Sequence, residues 1–191
     1  MNPDDDRAGG QTFIRPGESA ALAAYLRASL IGSANNATIV LSRSAGMSSG
    51  DFVKAMNERA AALGMHDTKF VDPTGLEAGN QSSARDWLRL LQAVSSNELI
   101  KRLTTTAADV ITVEPAASRE IKNTDHLLDS IVRIELGKTG YIEEAGYNLA
   151  AIINLQSGRE VYAVVLGAAS SDQRFADMKN LAVWAADTYS F

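Results

Sequence analysis

The sequence predicts an α/β chain of the segregated α+β kind: a helical lobe, then an antiparallel sheet closed by a C-terminal helix. Two observations predict it. Apolar residues recur at helical spacing through most of the first hundred residues, and from residue 131 the period drops to two over three successive runs. At 191 residues and 46 % apolar content, the chain can supply the core of one domain, or of one domain with a small lobe.

Residues 1–12 read as an exposed lead-in. Pro16-Gly17-Glu18 opens a helix over 18–31, with Leu22, Leu26 and Leu30 on one face and Gly32 at its end. Ser33-Ala34-Asn35-Asn36 connects it to a short helix near 37–45. Ser48 or Ser49 caps a third helix, where Phe52, Met56, Ala60 and Leu63 form a stripe and Gly64 stops the element. Phe70-Val71-Asp72-Pro73-Thr74-Gly75-Leu76 is a turn-rich loop. Ser82 or Ser83 then caps a helix holding Trp87, Leu88, Leu91 and Val94, and another helical turn follows over 97–103. Residues 110–113 alternate as a short strand. From 131, Ile131, Arg133 and Glu135 alternate with Val132, Ile134 and Leu136. The runs 147–155 and 160–167, joined by Gln156-Ser157-Gly158, predict a β-hairpin. A helix over 173–189 carries Phe175, Met178, Leu181 and Ala185 to one sheet face, and Trp87 and Trp184 are expected to be buried by their helices. No linker divides the chain, so a mainly helical lobe (13–128) and a sheet with terminal helix (129–191) are built against each other.

A formal charge of -5 argues against a general nucleic-acid binder. The absence of cysteine excludes disulfides and thiolate chemistry, and His66 and His126 alone argue against a zinc site, so no metal or cofactor is expected. Met1-Asn2-Pro3-Asp4-Asp5-Asp6 is unlike a signal peptide, and no run is long enough to span a membrane. Targeting information for an exported protein would lie outside this chain.

Two short words carry chemistry: Ser33-Ala34-Asn35, between helices, and Lys138-Thr139-Gly140, in a strand before a hairpin. Each alone is weak, since serine and asparagine commonly cap and turn a backbone, and a lysine at a strand edge commonly faces water. Their order and placement suit a serine acyl-transfer site whose third word, Ser-x-x-Lys, is absent. The residues three before each lysine are Asp51, His66, Glu98, Arg119, Glu135 and Ala176. Ser44, Ser48 and Ser49 have no lysine three residues on. His126 is read as packed or hydrogen-bonded, His66 as exposed, and Asp86 and Asp125 as anchors of local loops.

The surrounding words extend the pattern over about residues 16–189. Leu30 to Ala37, Asn57-Glu58-Arg59-Ala60, Leu63-Gly64-Met65, Phe70 to Leu76, Ser82-Ser83-Ala84-Arg85-Asp86 and Asn123-Thr124-Asp125-His126-Leu127-Leu128 follow in order. Gly137 to Tyr141, Ala145-Gly146-Tyr147-Asn148-Leu149 and Val164-Val165-Leu166-Gly167 complete the series. This series resembles the low-molecular-mass D-alanyl-D-alanine carboxypeptidases, penicillin-binding proteins of the S11 peptidase family.

The resemblance implies a β-lactamase/transpeptidase-like fold in which this chain is a partial peptidase domain, lacking the N-terminal strands and the nucleophile helix. It implies catalytic roles for Ser33, in the proton relay to the leaving amine, for Asn35, toward the absent lysine and the substrate backbone, and for Lys138, as a positive potential. Thr139, Gly140 and Tyr141 would bind substrate, Thr139 through its hydroxyl to the terminal carboxylate and Tyr141 through an oxyanion-binding N–H. Where the family often has threonine two positions after the glycine, this chain has Ile142. The implied partners are a peptidoglycan stem peptide ending in D-Ala-D-Ala, and β-lactams once the full site is assembled. The implied place is the periplasmic or extracellular face of a bacterial envelope, with any membrane association through segments outside this chain. With its layers incomplete, the isolated chain is expected to be poorly stable and to form no acyl-enzyme. Other expectations stay open: a D,D-endopeptidase, a non-catalytic peptidoglycan-binding protein, or a split enzyme whose Ser-x-x-Lys comes from another polypeptide.

Overall fold

The computed structural model describes residues 1, 2, 5, 10–115, 117–155 and 158–189. Five helices come first: α1 (Leu22–Leu30), α2 (Asn35–Ser44), α3 (Ser49–Ala62), α4 (Ala84–Val94) and α5 (Glu98–Thr104). A hairpin of β1 (Ala108–Val113) and β2 (Ala117–Lys122) follows, then a 3-10 turn at His126–Asp129. Strands β3 (Arg133–Ile142), β4 (Gly146–Asn154) and β5 (Glu160–Ala168) make an antiparallel sheet in sequence order, and α6 (Ser171–Thr188) closes the chain.

Serine and asparagine start the helices as their chemistry dictates. The side chains of Ser48, Ser83, Asn97 and Ser170 accept from the backbone N–H of Asp51, Asp86, Ile100 and Gln173. Helix α1 begins at Leu22 rather than residue 18, because Ser19 is held extended by an antiparallel bridge to Glu114. Helix α2 begins at Asn35, two residues earlier than the sequence suggested. The lead-in is not wholly exposed: Asp5 is 2 % exposed and ion-paired with Arg43 of α2.

Strand β2 was not foreseen, since Ala117-Ser118-Arg119-Glu120-Ile121-Lys122 offers one large apolar residue. That residue, Ile121, is fully buried with Ile111 and Val113 of β1 against Tyr25 and Ala28 of α1. Strand β4 reads as a nearly continuous apolar run because both its faces are covered. Leu149, Ala151 and Ile153 meet Phe175 and Met178 of α6, while Ala150 and Ile152 meet Leu91 of α4. On α6 the buried stripe is Arg174, Phe175, Met178, Ala182 and Ala185. Leu181 lies at its edge, and Trp184 is 55 % exposed, against the expected burial, with its ring edge-on to Tyr189. Within the predicted 156–158 turn, Gln156 and Ser157 lie outside the described residues.

Candidate active site

The site starts at the end of α1. The Phe13 ring lies so close to Gly32 that a Cβ there would sit 2.3 Å from Phe13 Cε2, so the chain leaves the helix through a residue without one. Ser33 then takes φ +54°, the left-handed region that a residue with a side chain seldom enters. The Ala34 N–H returns to the Ala28 carbonyl at 3.0 Å. This reversal costs on the order of 1 kcal/mol, and it holds Ser33 at the head of α2, beside Asn35. Asn35 is half-buried, and Gly10 packs so closely that a Cβ there would come within 2.9 Å of the Asn35 amide nitrogen.

Strand β3 supplies the facing side. Lys138 Nζ donates to Ser33 Oγ at 2.7 Å and to the Thr139 carbonyl at 3.0 Å. Burial pushes the Lys138 amine down to about 8; the Arg174 cation adds to this and Asp125 opposes it. Near neutral pH such an amine can hold charge or exchange a proton. Thr139 is buried, its Oγ1 2.5 Å from Thr124 Oγ1. Gly140 faces solvent, with nothing within 4 Å of where a Cβ would stand, leaving room for an extended ligand backbone. Tyr141 is 54 % exposed and stacks on Tyr147, ring centroids 4.2 Å apart. The structure thus joins Ser33 to Lys138 directly, sets Asn35 two residues from Ser33, and continues β3 through Thr139, Gly140 and Tyr141.

Two residues that the sequence reading did not assign support this strand. Arg174 of α6 is 6 % exposed and donates to the carbonyls of Gly140 at 3.3 Å and Asn148 at 3.2 Å. Its guanidinium carbon lies 4.5 Å from the Phe175 ring centroid and 5.5 Å from that of Tyr147. The signal available in sequence was a charged residue inside the buried stripe of the last helix. Thr124, within a family-like word but unassigned, is the second. Its neighbour Asp125 accepts from the Leu127 N–H at 2.9 Å, while its Oδ2 is buried without a partner among the described residues. A Cβ on Gly137 would stand 2.7 Å from that oxygen, so the strand passes the carboxyl only as glycine. Burial raises the Asp125 carboxyl, against the Leu127 N–H and the Arg174 charge. His126 stacks on Phe175 at 5.1 Å, the packed role expected of it.

Thr124 and Arg174 also line a cleft of about 670 Å³ with Lys122, Asn123, His126 and Asp129, whose walls include none of Ser33, Asn35, Lys138, Thr139, Gly140 or Tyr141. Among the described residues no group of three or more His, Asp or Glu side chains is placed to hold a metal ion. The remaining family-like words are scaffold. Asp72 ties its loop through Thr74, Gly75 and Asn80, and Asn57 clamps Phe70 through both its N–H and its carbonyl. Asp86 holds the Asp67 N–H, the Thr68 hydroxyl and Arg89.

A lysine amine thus meets a serine hydroxyl at a helix junction, beside an antiparallel sheet. Over residues 2–170 the chain matches the sequence model of the D-alanyl-D-alanine carboxypeptidase family, peptidase S11, and it belongs to that family. It is 40 % identical over 137 residues to a D-alanyl-D-alanine endopeptidase of Escherichia coli, covering 70 % of this chain and 43 % of that protein. It is 32 % identical over 182 residues to the D-alanyl-D-alanine carboxypeptidase DacF of Bacillus subtilis, covering 95 % of this chain and 46 % of that one. The chain spans about half the length of the curated relatives it matches. In fold it is similar to a D-alanyl-D-alanine carboxypeptidase from Mycobacterium tuberculosis, with TM-score 0.88 at 23 % identity over all of this chain and 74 % of that one. The Streptomyces K15 DD-transpeptidase gives 0.86 at 24 %, over 94 % and 72 % of the two chains. The family resemblance and the α+β architecture expected from sequence both hold.

Proposed function

We propose that this chain carries two walls of a serine-type D-alanyl-D-alanine carboxypeptidase site, and that the nucleophile and its lysine reach it from outside these 191 residues. The observation that carries the reading is the 2.7 Å contact between Ser33 Oγ and Lys138 Nζ, which joins residues 105 positions apart. An attacking serine oxygen bonds to the carbonyl carbon of the penultimate D-alanine, and its proton passes to the absent lysine. The C–N bond breaks, and the departing D-alanine amine takes a proton by way of Ser33. Water then hydrolyses the ester. Lys138 keeps the carboxylate side of the site positive, Thr139 donates to the carboxylate, and the Tyr141 N–H faces the developing oxyanion. Asn35 orients the substrate backbone. Such a substrate places the work on the outer face of a bacterial cytoplasmic membrane.

Labelling with a fluorescent penicillin tests this. A chain extended with the upstream Ser-x-x-Lys segment is expected to label at that serine, and the 191-residue chain not at all. Labelling of the short chain at one of its own serines would overturn the reading.

Similarity to the D-alanyl-D-alanine endopeptidase of Escherichia coli, at 40 % identity over 137 residues, favours one second reading, a D,D-endopeptidase. Release of monomers from a cross-linked stem-peptide dimer by the extended chain would establish that activity.

A further inference from the structure

Either hydroxyl of the Thr124–Thr139 contact could donate, and the choice matters for what Thr139 can offer a carboxylate. Each hydroxyl has one proton to donate and two lone pairs to accept with. The two oxygens are 2.5 Å apart, so one proton lies between them and the other is free. If Thr139 gives its proton to Thr124, it meets an incoming carboxylate with lone pairs only, which repels it. If Thr124 donates, Thr139 keeps its proton for the carboxylate, and the two bonds run in one direction, each polarising the next.

Thr124 is held where it can do this. The Asn123 amide donates to the carbonyls of Thr104 at 2.9 Å and Thr106 at 3.0 Å, and the Asn123 N–H to Ala107 at 2.8 Å. Asn123 Oδ1 accepts from the Asp125 N–H at 2.9 Å, and Asp125 in turn caps the 3-10 turn at Leu127. Both neighbours of Thr124 are therefore pinned to the end of α5 and to the 3-10 turn, leaving the hydroxyl little freedom beyond its own rotation.

We infer that Thr124 is a positioning residue: its hydroxyl donates to Thr139 Oγ1 and so presets the Thr139 proton toward the terminal carboxylate of a D-alanine-ended peptide. The ligand and the direction of the bond both rest on the peptidase reading above, since it is the carboxylate that requires a proton on Thr139. Presetting the donor removes the reorientation that binding would otherwise require.

Two measurements on the 191-residue chain test it. The first is calorimetric affinity for acetyl-L-Lys-D-Ala-D-Ala and for its C-terminal amide. The unmodified chain is expected to prefer the acid. Thr124→Val should weaken the acid by about fivefold, the worth of one hydrogen bond between neutral groups, and leave the amide unchanged. Thr124→Ser should restore the preference. An unchanged acid-to-amide ratio in Thr124→Val overturns the inference. The second needs no ligand and no variant: NMR assigns the slowly exchanging hydroxyl proton between the two residues. Its coupling to the Thr124 Hβ supports the relay, and coupling to the Thr139 Hβ overturns it. If the unmodified chain binds neither peptide, the peptidase reading fails, and the proton assignment reads separately which hydroxyl donates in the free chain.

Discussion

Lys138 is the most exacting place to test the site's electrostatics. Its amine is pushed from 10.5 to about 8, by burial first and by the Arg174 charge second. Lys138 should therefore be roughly nine-tenths charged at pH 7 and about one-tenth charged at pH 9. Over that interval the bond to Ser33 should reverse, from amine donating to Ser33 Oγ to Ser33 hydroxyl donating to the amine. The consequence for stability has a definite sign. Between about 8 and 10.5 the unfolded chain binds more protons at this residue than the folded chain, so stability should rise with pH across that window. The whole penalty is present below 8. At about 1.4 kcal/mol per pH unit between the two values, it amounts to about 3 kcal/mol. Water at the open side of this half-buried amine screens part of it, leaving about 1–3 kcal/mol. NMR titration of chains labelled at lysine Cε reads the pKa directly, and urea midpoints at pH 7 and pH 10 read the linkage. Lys138→Met should stabilise the chain at pH 7 and flatten the pH dependence, and Arg174→Gln should move the Lys138 titration upward. A Lys138 resonance titrating above 10, or Lys138→Met less stable than the unmodified chain at pH 7, would refute this reasoning.

Three further outcomes follow from the packing and charge. Ile152→Ala, at a fully buried position between the sheet and Leu91, should cost about 2–5 kcal/mol by urea unfolding. Ser33→Gly should relieve the left-handed backbone but remove the Lys138 partner, so the Lys138 titration should shift while the melting temperature changes little. Glu18, held down to about 2 first by its hydrogen bond from Arg119 and next by the Arg15 N–H, contributes fully above about 4.5 and loses its contribution as pH falls through about 2. The stability difference between the unmodified chain and Glu18→Gln, measured by circular dichroism, should be constant above pH 4.5 and shrink below it.

The parts of this architecture legible in sequence are those set by local chemistry. Ser48 and Ser83 announced their helices because a hydroxyl at that position satisfies a backbone N–H that the helix leaves free. Strands β4 and β5 were plain because both faces of β4 demand apolar side chains. Strand β2 was hidden, since pairing with β1 and one buried isoleucine sufficed to form it. The start of α1 was misplaced because Ser19 answers to Glu114, a partner that no local window contains. At the site, Ser33, Asn35, Lys138, Thr139, Gly140 and Tyr141 were reached through the family resemblance that two short words and their ordered surroundings carry. Arg174 and Thr124 were not, because their significance lies in what they touch: two carbonyls across the sheet, and one hydroxyl 15 residues away. The exposure of Trp184 shows the converse, a large apolar residue whose helix had already filled its buried stripe with smaller ones.

The 105-residue separation of Ser33 from Lys138 also bears on how the chain reaches its native state. The α1–α2 corner closes within a few residues of itself, and the β3–β4–β5 meander closes through neighbouring turns, so each can form early. The bond between them requires both to exist and to have met. It is therefore expected to form only after both, and its loss should report their separation. Mild denaturant should free the Lys138 amine while the helices and the sheet still stand, making its titration a gauge of docking between the two halves.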